Sequence, residues 1–301
     1  MQISARGLSR LRRKIARYLS IMKSDYRTYF GGALIFIFLF TGILAPLLAP
    51  HNPYEQDVTR RLQSPSRQHL AGTDELGRDI FSRIIYAFRI SIMVSFGGVL
   101  ISVTMGIMLG TAAAYFGGFI DNALLLLFDI IRAFPPIILI LSLVAVVGPS
   151  IRNIIIILGI TIMPRYGRVV RAETLSVKEE DYVTAARTIG ANSPRILFKE
   201  ILPNVFPSVL VLSGMDMASM IMWEAGLSFL GFGVQPPATS WGLMLRQGYD
   251  FIQILPHMIL FPAFCISLTM LGFSTFSESI RRALNPKTSS PVEAETDEGM
   301  S

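Results

Sequence analysis

Long apolar stretches separated by short charged segments dominate the sequence. Six of them occupy residues 30–49, 90–120, 133–151, 153–164, 205–223 and 251–277. A helix of about 20 apolar residues crosses a hydrocarbon core of about 30 Å. The pattern therefore predicts an all-α membrane protein with about six transmembrane helices.

Two of these stretches depart from a simple span. Pro135 and Pro136 stand near the start of the third and predict a kink there. The fourth is too short to span alone, so it must recruit the residues up to Arg171 or be shielded by neighbouring protein. Arg165, Arg168 and Arg171 recur every three residues, which places them on one side of that helix.

Composition and charge agree with membrane insertion and add an orientation. Hydrophobic residues make up 51% of 301 and charged residues 16%, with a mean hydropathy of +0.52. If the N-terminus lies inside, 18 of the 27 Lys and Arg residues fall on the inner side and eight on the outer side. The positive-inside rule thus predicts both termini in the cytoplasm. The net charge of +6 sits in a tail and a loop, which argues against nucleic-acid binding.

The charge pattern also divides the chain. Residues 1–29 form a basic cytoplasmic tail, and residues 30–284 form the transmembrane domain. The first apolar stretch is longer than the 7–15 residues of a signal-peptide core, so it is read as an uncleaved helix. Residues 51–88 are predicted as an outer loop and residues 172–202 as a large inner loop. Residues 285–301 are rich in Pro, Ser, Thr and Glu and are predicted to be disordered.

The sequence lacks the motifs of common catalytic chemistry. No Gly-Lys dipeptide occurs, which excludes a phosphate-binding loop, and neither Cys-x-x-Cys nor His-Glu-x-x-His is present. His51, His69 and His257 are scattered without ligand spacing, so no metal site is expected. Ser228 lacks the second glycine of a hydrolase nucleophile elbow. We expect a chain without catalytic residues that moves a solute with energy supplied from elsewhere.

The inner loop predicts a short helix with one apolar face. Acidic residues 179–181 favour a helix start, and Gly190 suits the left-handed position after its end. A second helix is predicted to begin with Ser193 as its cap and to end before Leu202-Pro203. The first helix carries a stripe of apolar residues at helical spacing: Tyr182, Ala185, Ala186 and Ile189. This stripe either packs on the chain's own helix ends or inserts into a groove of a partner.

Three motifs resemble those of one transporter family. Thr184-Ala185-Ala186, followed by Gly190 and Leu202-Pro203, resembles the cytoplasmic coupling motif of ABC-importer membrane subunits, with Thr184 where the family has an acid. Residues 72–83 (Gly-Thr-Asp-Glu-Leu-Gly-Arg-Asp-Ile-Phe-Ser-Arg) resemble a signature of the dipeptide/oligopeptide/nickel permeases, in particular their second membrane subunit. Residues 224–231 (Glu-Ala-Gly-Leu-Ser-Phe-Leu-Gly) resemble another.

The resemblance implies a fold, partners and a location. It implies the six-helix ABC-importer permease fold in a bacterial or archaeal inner membrane. The chain would pair with a homologous second permease subunit, dock two cytoplasmic ATPases that hold ATP and Mg²⁺, and receive solute from an extracytoplasmic binding protein. It would bind no cofactor itself. Di- or oligopeptides are the expected solutes, with nickel or metal chelates as the alternative.

Candidate residues for the translocation path lie on the fifth helix. Asp216 is an intramembrane carboxylate, and such groups face a cavity or pair with a neighbouring helix. Met220 belongs to a methionine cluster suited either to a path for varied side chains or to plain core and lipid packing, and Glu224 is expected to form a structural or gating hydrogen bond. Asp129 and Arg132 are predicted to pair along one helix face. The rival interpretation is a secondary transporter or channel without ATPases, for which Asp216 is the one candidate coupling residue.

Overall fold

A computed structural model describes residue 22 and residues 24–284 of the chain. The predicted disordered tail and most of the basic N-terminal tail lie outside the described residues. In chain order the helices are α1 (Tyr26–Ile43), α2 (Ala45–Leu48), α3 (Ile80–Phe116), α4 (Gly118–Ala133), α5 (Pro136–Val147), α6 (Ile151–Lys178), α7 (Asp181–Thr188), α8 (Ser193–Ile196), α9 (Leu202–Phe229), α10 (Trp241–Tyr249) and α11 (His257–Leu284). The described residues contain no strand beyond an isolated bridge between Thr73 and Asp79.

The number of spans agrees with the hydropathy pattern, but the third one is broken. Five helices are long and apolar enough to cross a membrane, and α4 and α5, bent by 90° to each other, make up to a sixth. The predicted helix over residues 133–151 is therefore wrong in its bounds. Phe134 precedes Pro135 and is extended (φ −91°, ψ 141°), which ends α4 at Ala133. Pro136 then begins α5, where a proline needs no N–H partner.

Helix α3 extends well beyond the second predicted stretch. It has 37 residues, a length of about 55 Å, so it exceeds the hydrocarbon core. It begins at Ile80 rather than near residue 90, because the Asp79 carboxylate accepts a hydrogen bond from the backbone of Ser82 and caps the helix. It ends where Gly117 takes a left-handed conformation (φ 65°), and α4 starts at once. The predicted outer loop is correspondingly shorter.

Helix α6 includes the three arginines that the fourth span was expected to recruit. It continues over 28 residues from Ile151 to Lys178 with Pro164 inside it. The predicted inner loop thus loses residues 172–178 to a helix. The close contact between α3 and α6 depends on glycine, since a β-carbon at Gly110 would overlap the Gly167 carbonyl. The Ser102 hydroxyl also donates to the Gly159 carbonyl at 2.8 Å across the same interface.

The second half of the inner loop differs from its prediction. Asn192, not Ser193, caps α8, because its side chain accepts from the backbone of Arg195 at 3.2 Å. The helix also does not stop before Leu202. A π turn, Leu197–Ile201, carries the chain directly into α9, with Pro203 in the first turn, where a missing N–H costs little.

Candidate functional site

Helix α7 is held against the bundle by its inner face. Val183 is fully buried, and Ala186 packs partly buried beside it. The cluster around Val183 comes from α6, the π turn and α9: Tyr166, Val170, Ile201, Val205 and Val209. Helix α7 therefore packs beside the inner-loop ends of α6 and α9 through this cluster.

The opposite face of α7 is uncovered. We define the docking face as Tyr182, Ala185 and Ile189, which are all exposed, Ile189 to 81%. Gly190 then turns the chain in a left-handed conformation (φ 82°), as predicted. The predicted stripe thus divides, since Ala186 points into the bundle while the other three residues face outward. Packing on the chain's own helix ends is thus observed for Ala186, and a partner groove stays a prediction for the other three residues.

The tyrosine of the docking face is fixed by a neighbour. The side-chain amide of Asn204 donates to the Tyr182 hydroxyl at 3.2 Å, and also to the Glu200 carbonyl at 2.6 Å. Burial, and then the charges of Glu180 and Glu200, raise the pKa of the Tyr182 hydroxyl. The ring is therefore neutral and oriented at physiological pH. Leu202 and Pro203 contribute the turn from which Asn204 reaches Tyr182.

Three arginines of α6 form ion pairs with carboxylates on other helices, a set that we call the arginine ladder. Arg165 donates to Asp216 of α9 at 2.5 Å. Arg168 pairs with Asp129 of α4. Arg171 makes a bidentate pair with Asp121 of α4, at 2.5 and 2.6 Å. The ladder joins α6 to both α4 and α9. A movement of α6 relative to these helices would therefore strain or break its ion pairs.

The outer motif, residues 72–83, folds around one buried carboxylate. Asp74 accepts from Arg78 Nε at 2.7 Å and from the backbone of Leu76 at 2.9 Å, and it pairs with Arg83. Arg83 also donates to Gln247 of α10 at 2.9 Å. Because isolated buried charges are costly, this network is a structural anchor between the outer loop and two helices.

The second signature, around residues 224–231, is also internally bonded. Glu224 is fully buried and accepts from the Ser228 hydroxyl at 2.6 Å. The Ser228 oxygen in turn accepts from the backbone of Val234 at 3.0 Å, which closes the turn after α9. A β-carbon on Gly242 would overlap the backbone of Ala225, so α10 approaches α9 closely. The placement of Glu224 agrees with a structural hydrogen bond.

The sequence matches two family models. Residues 102–290 match the binding-protein-dependent transport system inner membrane component, which covers more than half of the chain. Residues 23–65 match the N-terminal transmembrane domain of oligopeptide transport permease C. The chain belongs to this permease family. It is thus a multi-pass protein of the inner membrane.

Similar proteins cover nearly the whole permease. The dipeptide transport system permease protein DppC of Alkalihalophilus pseudofirmus is 40% identical over 269 residues, 89% of this chain and 88% of that protein. The glutathione transport system permease protein GsiD of Pectobacterium atrosepticum is 37% identical over 261 residues, 86% of this chain and 87% of that protein. In fold, the permease resembles a solved inward-facing MetNI methionine ABC transporter, with a TM-score of 0.54 and 17% identity over 67% of this chain and 97% of that one.

The residues predicted for the path are buried in the single permease chain. Asp216 is 1% exposed and is paired with Arg165, which matches the alternative of a pair with a neighbouring helix. Met220 is fully buried in the apolar cluster between α3, α5 and α6. The path roles of these two residues and of Glu224 stay predictions. The predicted Asp129–Arg132 pair is wrong, because Asp129 pairs with Arg168 across two helices.

Two features were missed by reasoning from sequence. Val183 anchors α7, and its position three residues before Ala186 was a helical signal for a buried face. His51 and His69 are not scattered, since their ring centroids lie 4.8 Å apart and both contact Asp79. No sequence spacing reveals this second feature, because the outer loop brings distant residues together.

Proposed function

We propose that this permease imports di- or oligopeptides as one half of a transmembrane pathway. Its partners are a homologous second permease subunit, two cytoplasmic ATPases and an extracytoplasmic binding protein. The dipeptide and glutathione permeases similar in sequence support a peptide-class solute. ATP and Mg²⁺ belong to the ATPases in this proposal, and the permease contributes no hydrolytic residue.

The observation that carries the proposal is the two-sided helix α7. Its docking face of Tyr182, Ala185 and Ile189 is exposed and apolar, the character of a surface that a partner protein covers. Its other face is locked by Val183 into the ends of α6 and α9. A partner seated on α7 can therefore move the spans themselves. A secondary transporter works without ATPases and needs no docking surface that is coupled to its spans.

The coupling runs from α7 into the bundle through packed side chains. When the ATPases close on ATP, they displace α7, and the cluster around Val183 passes that displacement to α6 and α9. The arginine ladder then shifts, because Arg165 links α6 to Asp216 of α9 while Arg168 and Arg171 link α6 to α4. In this mechanism Asp216 holds the two helices in register during alternating access. Met220 and Glu224 lie on α9 nearer its outer end, where they line the path or stabilise the packing of that helix.

The experiment places a charge on the docking face. Ile189→Asp changes an 81% exposed residue and leaves the buried face intact. We expect the variant to insert and to pair with the second permease subunit, but to lose co-purification of the ATPases and ATP-driven uptake of labelled peptides. Ile254→Asp, at a 75% exposed isoleucine in the connection between α10 and α11, is the matched control and should retain both.

Normal ATPase binding and uptake by the Ile189→Asp variant would contradict the proposal. Uptake that persists when the ATPases are absent would instead support the secondary-transporter alternative. Uptake of nickel or metal chelates but not of peptides would contradict the proposed solute and leave the coupling mechanism unaffected.

A further inference from the structure

Two histidines and one carboxylate converge at the outer end of the bundle. His51 follows α2, His69 lies in the outer loop, and Asp79 caps the start of α3. His69 Nδ1 lies 2.9 Å from Asp79 Oδ1, and His51 Nδ1 lies 3.8 Å from Asp79 Oδ2. One potential ligand atom from each residue lies within 4.8 Å of the others. Three separate segments thus direct metal-type donors at one point.

We propose that His51, His69 and Asp79 bind a single Zn²⁺ ion at the extracytoplasmic surface. Two imidazole nitrogens and one carboxylate oxygen are a common zinc ligand set, with a fourth position left for water. Zinc ligands at about 2.0–2.2 Å in a tetrahedron stand about 3.3 Å from one another. The Nδ1 atom of His69 lies 2.9 Å from Asp79 Oδ1 and that of His51 lies 3.8 Å from Asp79 Oδ2, both close to that separation, and a rotation of the side chains would bring one oxygen to both nitrogens.

The two ring nitrogens of His69 have different surroundings. The His69 side chain is 7% exposed, and its Nε2 has no hydrogen-bond partner among the residues that the structure describes. A buried polar atom without a partner is rare and indicates an ion or water that completes its environment. Because Nδ1 faces Asp79, it is the nitrogen of His69 that would bind the metal, which leaves Nε2 as an N–H that a water can pair.

His51 is accessible from outside and its backbone is held in place. The His51 side chain is 40% exposed and lines a cavity of about 510 Å³ with Asn52, Tyr54 and Tyr86, so one of the three ligands can be reached from the outer solution. The backbone N–H of His51 donates to the Ser82 hydroxyl at 3.0 Å, so His51 is held beside the first turn of α3.

The local charge also suits a cation. Arg78 and Arg83 lie nearby in sequence, but both are paired with Asp74 and do not face the site with a free charge. Bound Zn²⁺ would fasten the outer loop to α3 next to the family signature, which stabilises the outer surface of the permease.

The test is Zn²⁺ binding by the full-length permease in its membrane complex, purified through an affinity tag without histidines. Competition with a zinc indicator dye should give one Zn²⁺ per chain that excess Mg²⁺ and Ca²⁺ do not displace. His51→Gln places a polar side chain at a half-exposed position, so the variant should fold. We expect it to weaken Zn²⁺ binding at least tenfold. His257→Gln removes the remaining histidine and should bind as the wild type does.

A second measurement keeps the proposal falsifiable if folding is affected. Co²⁺ in place of Zn²⁺ should give the intense visible absorption of a four-coordinate site, and His51→Gln should abolish it. Failure of the wild type to bind Zn²⁺, or equal binding by the His51→Gln variant, overturns the proposal. Either result leaves peptide transport untouched, because neither measurement depends on the ATPases or on uptake.

Discussion

Arg165 of α6 reaches Asp216 of α9 at 2.5 Å, although the arginine side chain is 42% exposed and the aspartate 2% exposed. The pair thus connects a buried position to an open one between two spans. An ion pair placed in this way holds two helices together and can part when they separate. It also means that Asp216 is not a free carboxylate in this conformation.

Removing this carboxylate tests the role of the pair. Asp216→Asn replaces the charge-assisted hydrogen bond from Arg165 with a weaker one, and we expect stability to fall by up to about 1.5–3 kcal/mol, the usual contribution of a hydrogen bond to a charged group. Uptake of cationic and neutral peptides should fall to the same extent. The measurements are thermal unfolding of the complex and uptake of both peptide types.

Glu278→Gln is the control for that variant. It removes pairs with Arg281 and Arg282 inside one helix, where the glutamate is 31% and the arginines 62% and 46% exposed, so the expected change is under about 1 kcal/mol. Loss of cationic peptide uptake alone, with unchanged stability in Asp216→Asn, would show that Asp216 contacts the solute instead.

The turn after α7 should require glycine for its left-handed backbone conformation and not because a larger side chain would clash. Gly190 has φ 82°, yet nothing lies within 4 Å of an added β-carbon. Gly190→Val should therefore cost about 1–2 kcal/mol locally, through left-handed strain alone. We expect weaker ATPase co-purification with normal pairing of the permease subunits. Gly226→Ala, where an added β-carbon also meets nothing but φ is not left-handed, should be neutral in the same assay.

The outer signature should fail when its central carboxylate is removed. Asp74→Asn leaves Arg78 and Arg83 buried without compensation, and breaking such a network costs about 3–5 kcal/mol. We expect little folded permease in the membrane by quantitative immunoblot. Glu75→Gln is the control, because burial raises the pKa of Glu75 and its ionised form is the disfavoured one. At pH 7 the amide should be neutral or slightly stabilising, and an equal loss in both variants would refute the central role of Asp74.

The predicted topology has its own test. Reporter fusions after Ala5 and after Asn285 should report the cytoplasm, since the basic segments favour the inner side. A fusion at Ser64, in the outer loop, should report the opposite side. A terminus on the outer side would require a different number of spans.

Local rules explain what the sequence could predict. The span count follows from apolar length, and the left-handed turn at Gly190 follows from the freedom of glycine. Pro135-Pro136 predicted a break between α4 and α5. The 90° angle of that break depends on packing and could not be predicted from these residues. Asp129 was paired with the nearest arginine in sequence, whereas Arg168 reaches it from another helix. The convergence of His51, His69 and Asp79 likewise depends on the path of the outer loop.

The central claim is that the docking face of α7 seats an ATPase, and a crosslink tests it most directly. Cys265 is the single cysteine of the chain, so a Cys265→Ser background gives a clean site for one new thiol. Ile189→Cys and, as a control on the other side, Ile254→Cys would each carry a thiol-anchored photocrosslinker in the assembled complex. The account predicts a crosslink from position 189 to an ATPase subunit and none from position 254. A crosslink from position 189 only to the permease chains would contradict it.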